Sequence, residues 1–145
     1  MSAVAFVADP SSSTLKSRFL ADILAALAKR RRALRHKTGD IAVEKVLEAT
    51  SGAEDEKLEI SCDVGPARLR LFAWADRWIF IDARTATKTG GWEWEFSQQG
   101  RLLGGEARAL IGVFERSIDA TAMKSTESLE DVWKPLLASG PRLSG

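Results

Sequence analysis

The stretch from 58 to 96 constrains this chain most, because short runs of alternating apolar and polar residues are separated there by turn formers. Side chains on a strand point to opposite faces in turn, and a tight turn sets which residues of two strands lie opposite each other. Residues 58–64 alternate, and Gly65-Pro66 then supplies a two-residue turn. That loop places Cys62 opposite Leu69, Ile60 opposite Leu71 and Leu58 opposite Ala73, and it pairs Asp63 with Arg68 as opposite charges. A second turn near Ala75-Asp76 sets Ala73 against Trp78 and Leu71 against Phe80. One face of the predicted antiparallel meander then reads Leu58, Ile60, Cys62, Leu69, Leu71, Ala73, Trp78 and Phe80, which is a core face.

The same register assigns Glu59, Ser61, Asp63, Arg68, Arg70, Phe72, Trp74, Arg77, Ile79 and Ile81 to the opposite face. Apolar residues gathered in one patch are normally covered, either by a helix of the same chain or by a partner. As a protein-binding surface, this face offers Phe72, Trp74 and Ile79 as buried anchors, with Arg68, Arg70 and Arg77 as orienting contacts.

Around this centre the chain reads as an α+β domain. Residues 1–13 are an N-terminal extension able to supply an edge strand, 14–138 form a single domain and 139–145 a flexible tail. From Thr14 to about Lys37 the apolar residues Leu15, Phe19, Leu20, Ile23, Leu24 and Leu27 recur at helical spacing, and Gly39 ends the pattern. Asp40 is expected to cap a second, shorter helix through about Thr50, with Ile41, Val46 and Leu47 inward, followed by an acidic loop at 53–56. Trp92, Trp94 and Phe96 alternate with Glu93 and Glu95 as a fourth strand; a turn is expected at 97–100 and a short fifth strand at 101–103. Ala107, Leu110, Ile111, Phe114 and Ile118 mark a third helix, and Leu129, Val132, Trp133, Leu136 and Leu137 a fourth that Pro135 bends. The expected order is two N-terminal helices, a four- to five-stranded antiparallel meander, and two C-terminal helices.

The basic run at 29–37 is the loudest local signal. Lys29, Arg30, Arg31, Arg32, Arg35 and Lys37 surround a lone Leu34. Cations at a helix C-terminus complement the helix dipole, and clustered cations are also the footprint of a phosphate-binding surface. With Lys88 in the polar segment 84–91, and bases stacked on Trp74 and Phe72, they make up a nucleic-acid reading. A formal net charge of +1 over 145 residues gives that reading no long-range field.

Catalytic chemistry has little to draw on. One cysteine and one histidine make a zinc site improbable, and the Gly-rich and Gly-x-Ser-x-Gly patterns are absent. Cys62 falls on the core face, as do most of the five tryptophans by this reading. Glu93, Glu95 and Asp82 are the only carboxylates that suggest acid or base work. No cofactor is expected. The apolar start lacks a basic flank and nothing approaches a membrane-spanning length, so a cytoplasmic protein is expected. The resulting expectation is a non-enzymatic protein-binding module, such as an inhibitor, regulator, immunity-type or chaperone-like protein, whose partner is another protein or a second copy. The alternative is a nucleic-acid-binding domain using 29–37 and the same sheet face.

Overall fold

The computed structural model describes residues 4–8, 10–50, 53–103 and 107–138. Seven antiparallel strands form one sheet in chain order: β1 (Val4–Ala8), β2 (Ile41–Thr50), β3 (Ala53–Val64), β4 (Ala67–Trp74), β5 (Trp78–Ala86), β6 (Trp92–Leu102) and the two-residue β7 (Leu137–Ala138). Helix α1 (Arg18–Thr38) connects β1 to β2, while α2 (Ala107–Ala122) and α3 (Thr126–Trp133) connect β6 to β7. The chain is an α+β domain built on an antiparallel sheet. The expected tail at 139–145 and the Gly104-Gly105 lead-in to α2 lie outside the described residues.

The first hairpin folds as its local sequence requires. Gly65 has φ 59, a conformation that costs glycine nothing, and Pro66 follows it in a two-residue loop. Cys62 pairs with Leu69, Ile60 with Leu71, Leu58 with Ala73 and Asp63 with Arg68, as the alternation predicts. The second hairpin differs by one residue. Ala73 pairs with Ile79 and Leu71 with Ile81, so Ala75, Asp76 and Arg77 fall in the connection and Arg77 takes φ 74. An odd loop flips the following strand. Ile79, Ile81 and Ala83 therefore enter the core in place of Phe80, and Phe80 turns to the other face.

The expected second helix is strand β2. Ile41 and Val43 alternate, while Val43, Val46 and Leu47 recur at helical spacing, and tertiary pairing decides between the two patterns. In the sheet, β2 bonds to β3 from Ile41 to Thr50 on one edge and to β1 on the other. The segment expected as an acidic loop is the start of β3. Likewise β6 runs unbroken through the expected turn at 97–100. A Cβ on Gly100 would lie 2.6 Å from the Ala138 carbonyl oxygen and 2.9 Å from Leu137 Cβ, so this glycine admits β7 rather than making a turn. Gly100→Ala is expected to cost about 1–3 kcal/mol through that overpacking, read from the urea midpoint. An unchanged midpoint would mean that β7 does not press on β6.

The three α-helices among the described residues lie on one side of the sheet. Leu20, Ile23, Leu27 and Leu34 of α1 join Leu110, Phe114 and Ile118 of α2 and Trp133 of α3 over Leu58, Ile60, Leu69, Leu71, Ile79 and Ile81. Leu34, isolated among cations in the sequence, is buried one heptad beyond Leu27. Ser17 caps α1 by accepting from Leu20 N–H, and Ser125 caps α3 by accepting from Ser128 N–H. After α3 the chain tightens into a single 3₁₀ turn at Lys134–Leu136, where Pro135 sits. Among the described residues no helix is long and apolar enough to cross a membrane.

Candidate sheet-face interface

Because the helices share one side, the other side of β3–β6 presents the residues of opposite parity. Phe72 and Phe80 face each other across β4 and β5, Arg70 faces Asp82, and Arg68 faces Arg84. The face divides into an aromatic half and an arginine half.

In the aromatic half, Phe72 stacks on Trp74 with ring centroids 6.2 Å apart and meets Phe80 at 5.9 Å. Lys57 Nζ lies 5.0 Å from the Phe72 centroid and 5.4 Å from that of Trp74, and the Arg70 guanidinium is 5.2 Å from Phe72. Ring faces carry negative potential, so cations above them are attracted. The three rings are half-buried, a state that leaves area for a partner to remove from water.

The arginine half is organised from below by Asp82, which is 3% exposed. Arg70 Nε donates to Oδ1 at 2.8 Å and Arg70 Nη2 to Oδ2 at 2.5 Å, while Arg84 Nη2 donates to the same Oδ2 at 2.8 Å. Burial by itself would raise the Asp82 carboxyl, but the hydrogen bonds from Arg70 and Arg84 outweigh it and hold the group below the usual carboxylate range. A carboxylate held in its charged form orients guanidinium forks and is unsuited to general-acid work. Arg68 donates from Nε to Asp63 Oδ1 at 3.1 Å, the cross-strand pair expected from the register. Arg84 lies 4.8 Å over the ring of Trp92, and Arg68, Arg70, Arg84 and Trp92 line a pit of about 180 Å³.

The expected anchor set is brought together in part. Arg68, Arg70, Phe72 and Trp74 share this face, whereas Ile79 is fully buried in the core and Arg77 stacks its guanidinium over Phe19 of α1 on the helical side. Both changes follow from the odd second turn. Phe80, Arg84 and Trp92 are the members the sequence reading missed; Trp92, taken as core, is 49% exposed. A signal for them was present. A two-residue turn carried along β5 would have driven Asp82 and Arg84 into the core, while a three-residue turn pairs Asp82 with Arg70 and buries Ile79, Ile81 and Ala83.

The basic run is placed elsewhere. Helix α1 packs on the core side of the sheet, so residues 29–37 and the Arg/aromatic face do not share a surface. Arg30 forks onto Glu115 of α2 at 2.8–3.1 Å, Lys37 bonds Asp119 at 3.0 Å, Arg35 pairs with Asp40 at 2.9 Å, and Arg31 donates to the Ile41 carbonyl at 2.7 Å. Lys29 and Arg32 remain on the helix surface, and Lys88 sits exposed in the turn before β6. Glu115 and Asp119, one helical turn apart on α2, are the partners of Arg30 and Lys37.

Among the described residues no group of His, Cys, Asp and Glu is placed to hold a metal ion. Cys62 is buried between sheet and helices, and burial pushes its thiol up to about 12, so it stays protonated at neutral pH. Glu93 and Glu95 lie exposed along β6. Compared with known proteins, the chain matches no family model, no curated protein and no solved structure.

Proposed function

We propose that this protein is a non-enzymatic protein-binding module, of the inhibitor, regulator, immunity or chaperone kind, that docks its partner on the open face of β3–β6. The observation that supports this reading is the one-sided packing of the helices. It leaves Phe72, Trp74, Phe80 and Trp92 beside Arg68, Arg70 and Arg84 with none of the described helices over them. Aromatic and arginine side chains set on a rigid sheet combine large contact area with directional hydrogen bonding, at small conformational cost. A self-complementary use of the same patch would produce a homodimer, the commonest symmetric assembly.

Affinity capture from lysate, divided into nuclease-treated and untreated halves, tests the proposal. A stoichiometric protein partner that survives nuclease and is lost with Phe72→Ser/Trp74→Ser supports it. Retention that disappears with nuclease would turn the reading to nucleic acid held by the cations of α1. The double substitution is expected to leave the fold intact by circular dichroism, since neither ring belongs to the core beneath the helices. Collapse of the fold would show that the face is core after all.

A further inference from the structure

A cleft of about 800 Å³ opens on the helical side, walled by the first half of α1, the turn between β4 and β5, and the start of α2. Its volume lies within the range of roughly 300–1,000 Å³ typical of small-molecule sites. Five cations line it, Arg18, Lys29, Arg30, Arg77 and Arg108, and Asp22 is the one carboxylate among its described lining residues. The apolar part of the wall is Phe19, Ala25, Ala26 and Ala107.

Two details show that the cations are arranged around an apolar strip. Arg18 and Lys29 are separated by about 16 Å along α1 at 1.5 Å per residue, and the alanines and Phe19 lie between or beside them on the same groove. Neither makes an ion pair with another described residue, whereas Arg30 is shared with Glu115. At the near end Arg77 adopts φ 74, a region that glycine enters freely and arginine enters at a cost, and its guanidinium lies 4.8 Å over the Phe19 ring. An arginine kept in that position puts a cation on the wall where the turn alone would favour glycine.

We infer that this cleft binds a small amphipathic anion. Cations at one end of the strip take its oxyanion head, carboxylate or phosphate, and Phe19, Ala25, Ala26 and Ala107 take a short apolar chain. The site lies on the opposite side of the sheet from the proposed partner face and does not depend on it. Decanoate, decyl phosphate and decan-1-ol, each titrated into the ¹⁵N-labelled protein, test it. Saturable shifts centred on Phe19, Ala26 and Ala107 are expected with decanoate or decyl phosphate, and the tighter of the two identifies the head group. Decan-1-ol is expected to bind at least tenfold more weakly. Ala25 is exposed, so Ala25→Trp fills the groove without touching the core and is expected to abolish the shifts at an unchanged melting temperature. Arg18→Glu/Lys29→Glu is expected to weaken the anions tenfold or more and to leave the alcohol unaffected. Shifts that do not saturate, equal binding of alcohol and anion, or full binding by Ala25→Trp would each overturn the inference.

Discussion

Glu56→Ala is expected to remove about 3–5 kcal/mol of stability, the cost of stripping one partner from a buried charge pair, and to loosen the start of α1 first. Glu56 is 5% exposed near the start of β3. Its carboxylate accepts from Lys16 N–H at 2.8 and 2.9 Å and from Ser17 N–H at 2.8 Å, and it lies 3.3 Å from Lys45 Nζ. Lys45, also nearly buried, donates to the Thr14 carbonyl at 2.6 Å. One acid thus ties the entry of α1 to two strands, and without it an ammonium and two backbone N–H groups are left unmatched. Chemical denaturation gives the total, and hydrogen exchange at residues 16–20 gives the locality. A loss under about 1 kcal/mol, the scale of a surface pair, would show that the cluster is solvated. The pH dependence has a fixed sign. Burial raises Glu56, but the N–H groups of Lys16 and Ser17 and the Lys45 ammonium lower it further, so its folded pKa lies below the unfolded one. Its contribution is complete above the unfolded value of about 4.3 and fades as pH falls through the lower folded value. The gap between wild type and Glu56→Gln should therefore narrow on acidification.

Removing both arginines from Asp82 is expected to cost more than removing Asp82 itself. Arg70→Ala/Arg84→Ala leaves a 3% exposed carboxylate without its donors, for a loss of about 3–5 kcal/mol at neutral pH. Asp82→Ala instead leaves two guanidinium groups whose side chains are already 29% exposed and can turn to water, at about 1–3 kcal/mol. The triple variant should recover part of the double variant's loss, because the groups act as one network. Titration separates the cases again. In the native protein Asp82 is held low, so its contribution is lost as pH falls through the folded pKa. In the double variant burial alone acts and raises the carboxyl, so that variant should lose stability as pH rises through the unfolded value of about 3.9. Equal losses for the two variants, or the same pH sense in the native protein and the double variant, would dismiss Asp82 as the organiser of the arginine half.

Half of the candidate face was legible before the fold was known. Arg68, Arg70, Phe72 and Trp74 follow from one unambiguous turn, and their pairing with β3 is as the alternation requires. The rest depended on whether two or three residues connect β4 to β5. Trp78 and Phe80, or Ile79 and Ile81, can each supply an apolar stripe, so hydrophobicity alone does not choose. Asp82 and Arg84 do choose, because the first stripe would carry them into the core whereas the second sets Asp82 opposite Arg70.

What the sequence by itself determined are the elements whose signals are local: the β3–β4 hairpin with its register, the apolar stripes of α1, α2 and α3, and the burial of Cys62. Each rests on a period or a turn contained within a few residues. Only the tertiary structure decided that residues 41–50 are a strand, because their apolar residues satisfy both periods and the backbone bonds to β1 and β3 break the tie. It also decided that Gly100 admits a neighbouring strand, that the basic run turns toward the acids of α2, and that the described helices lie on one side of the sheet. These outcomes depend on contacts between residues far apart in the chain, which no short stretch of sequence encodes.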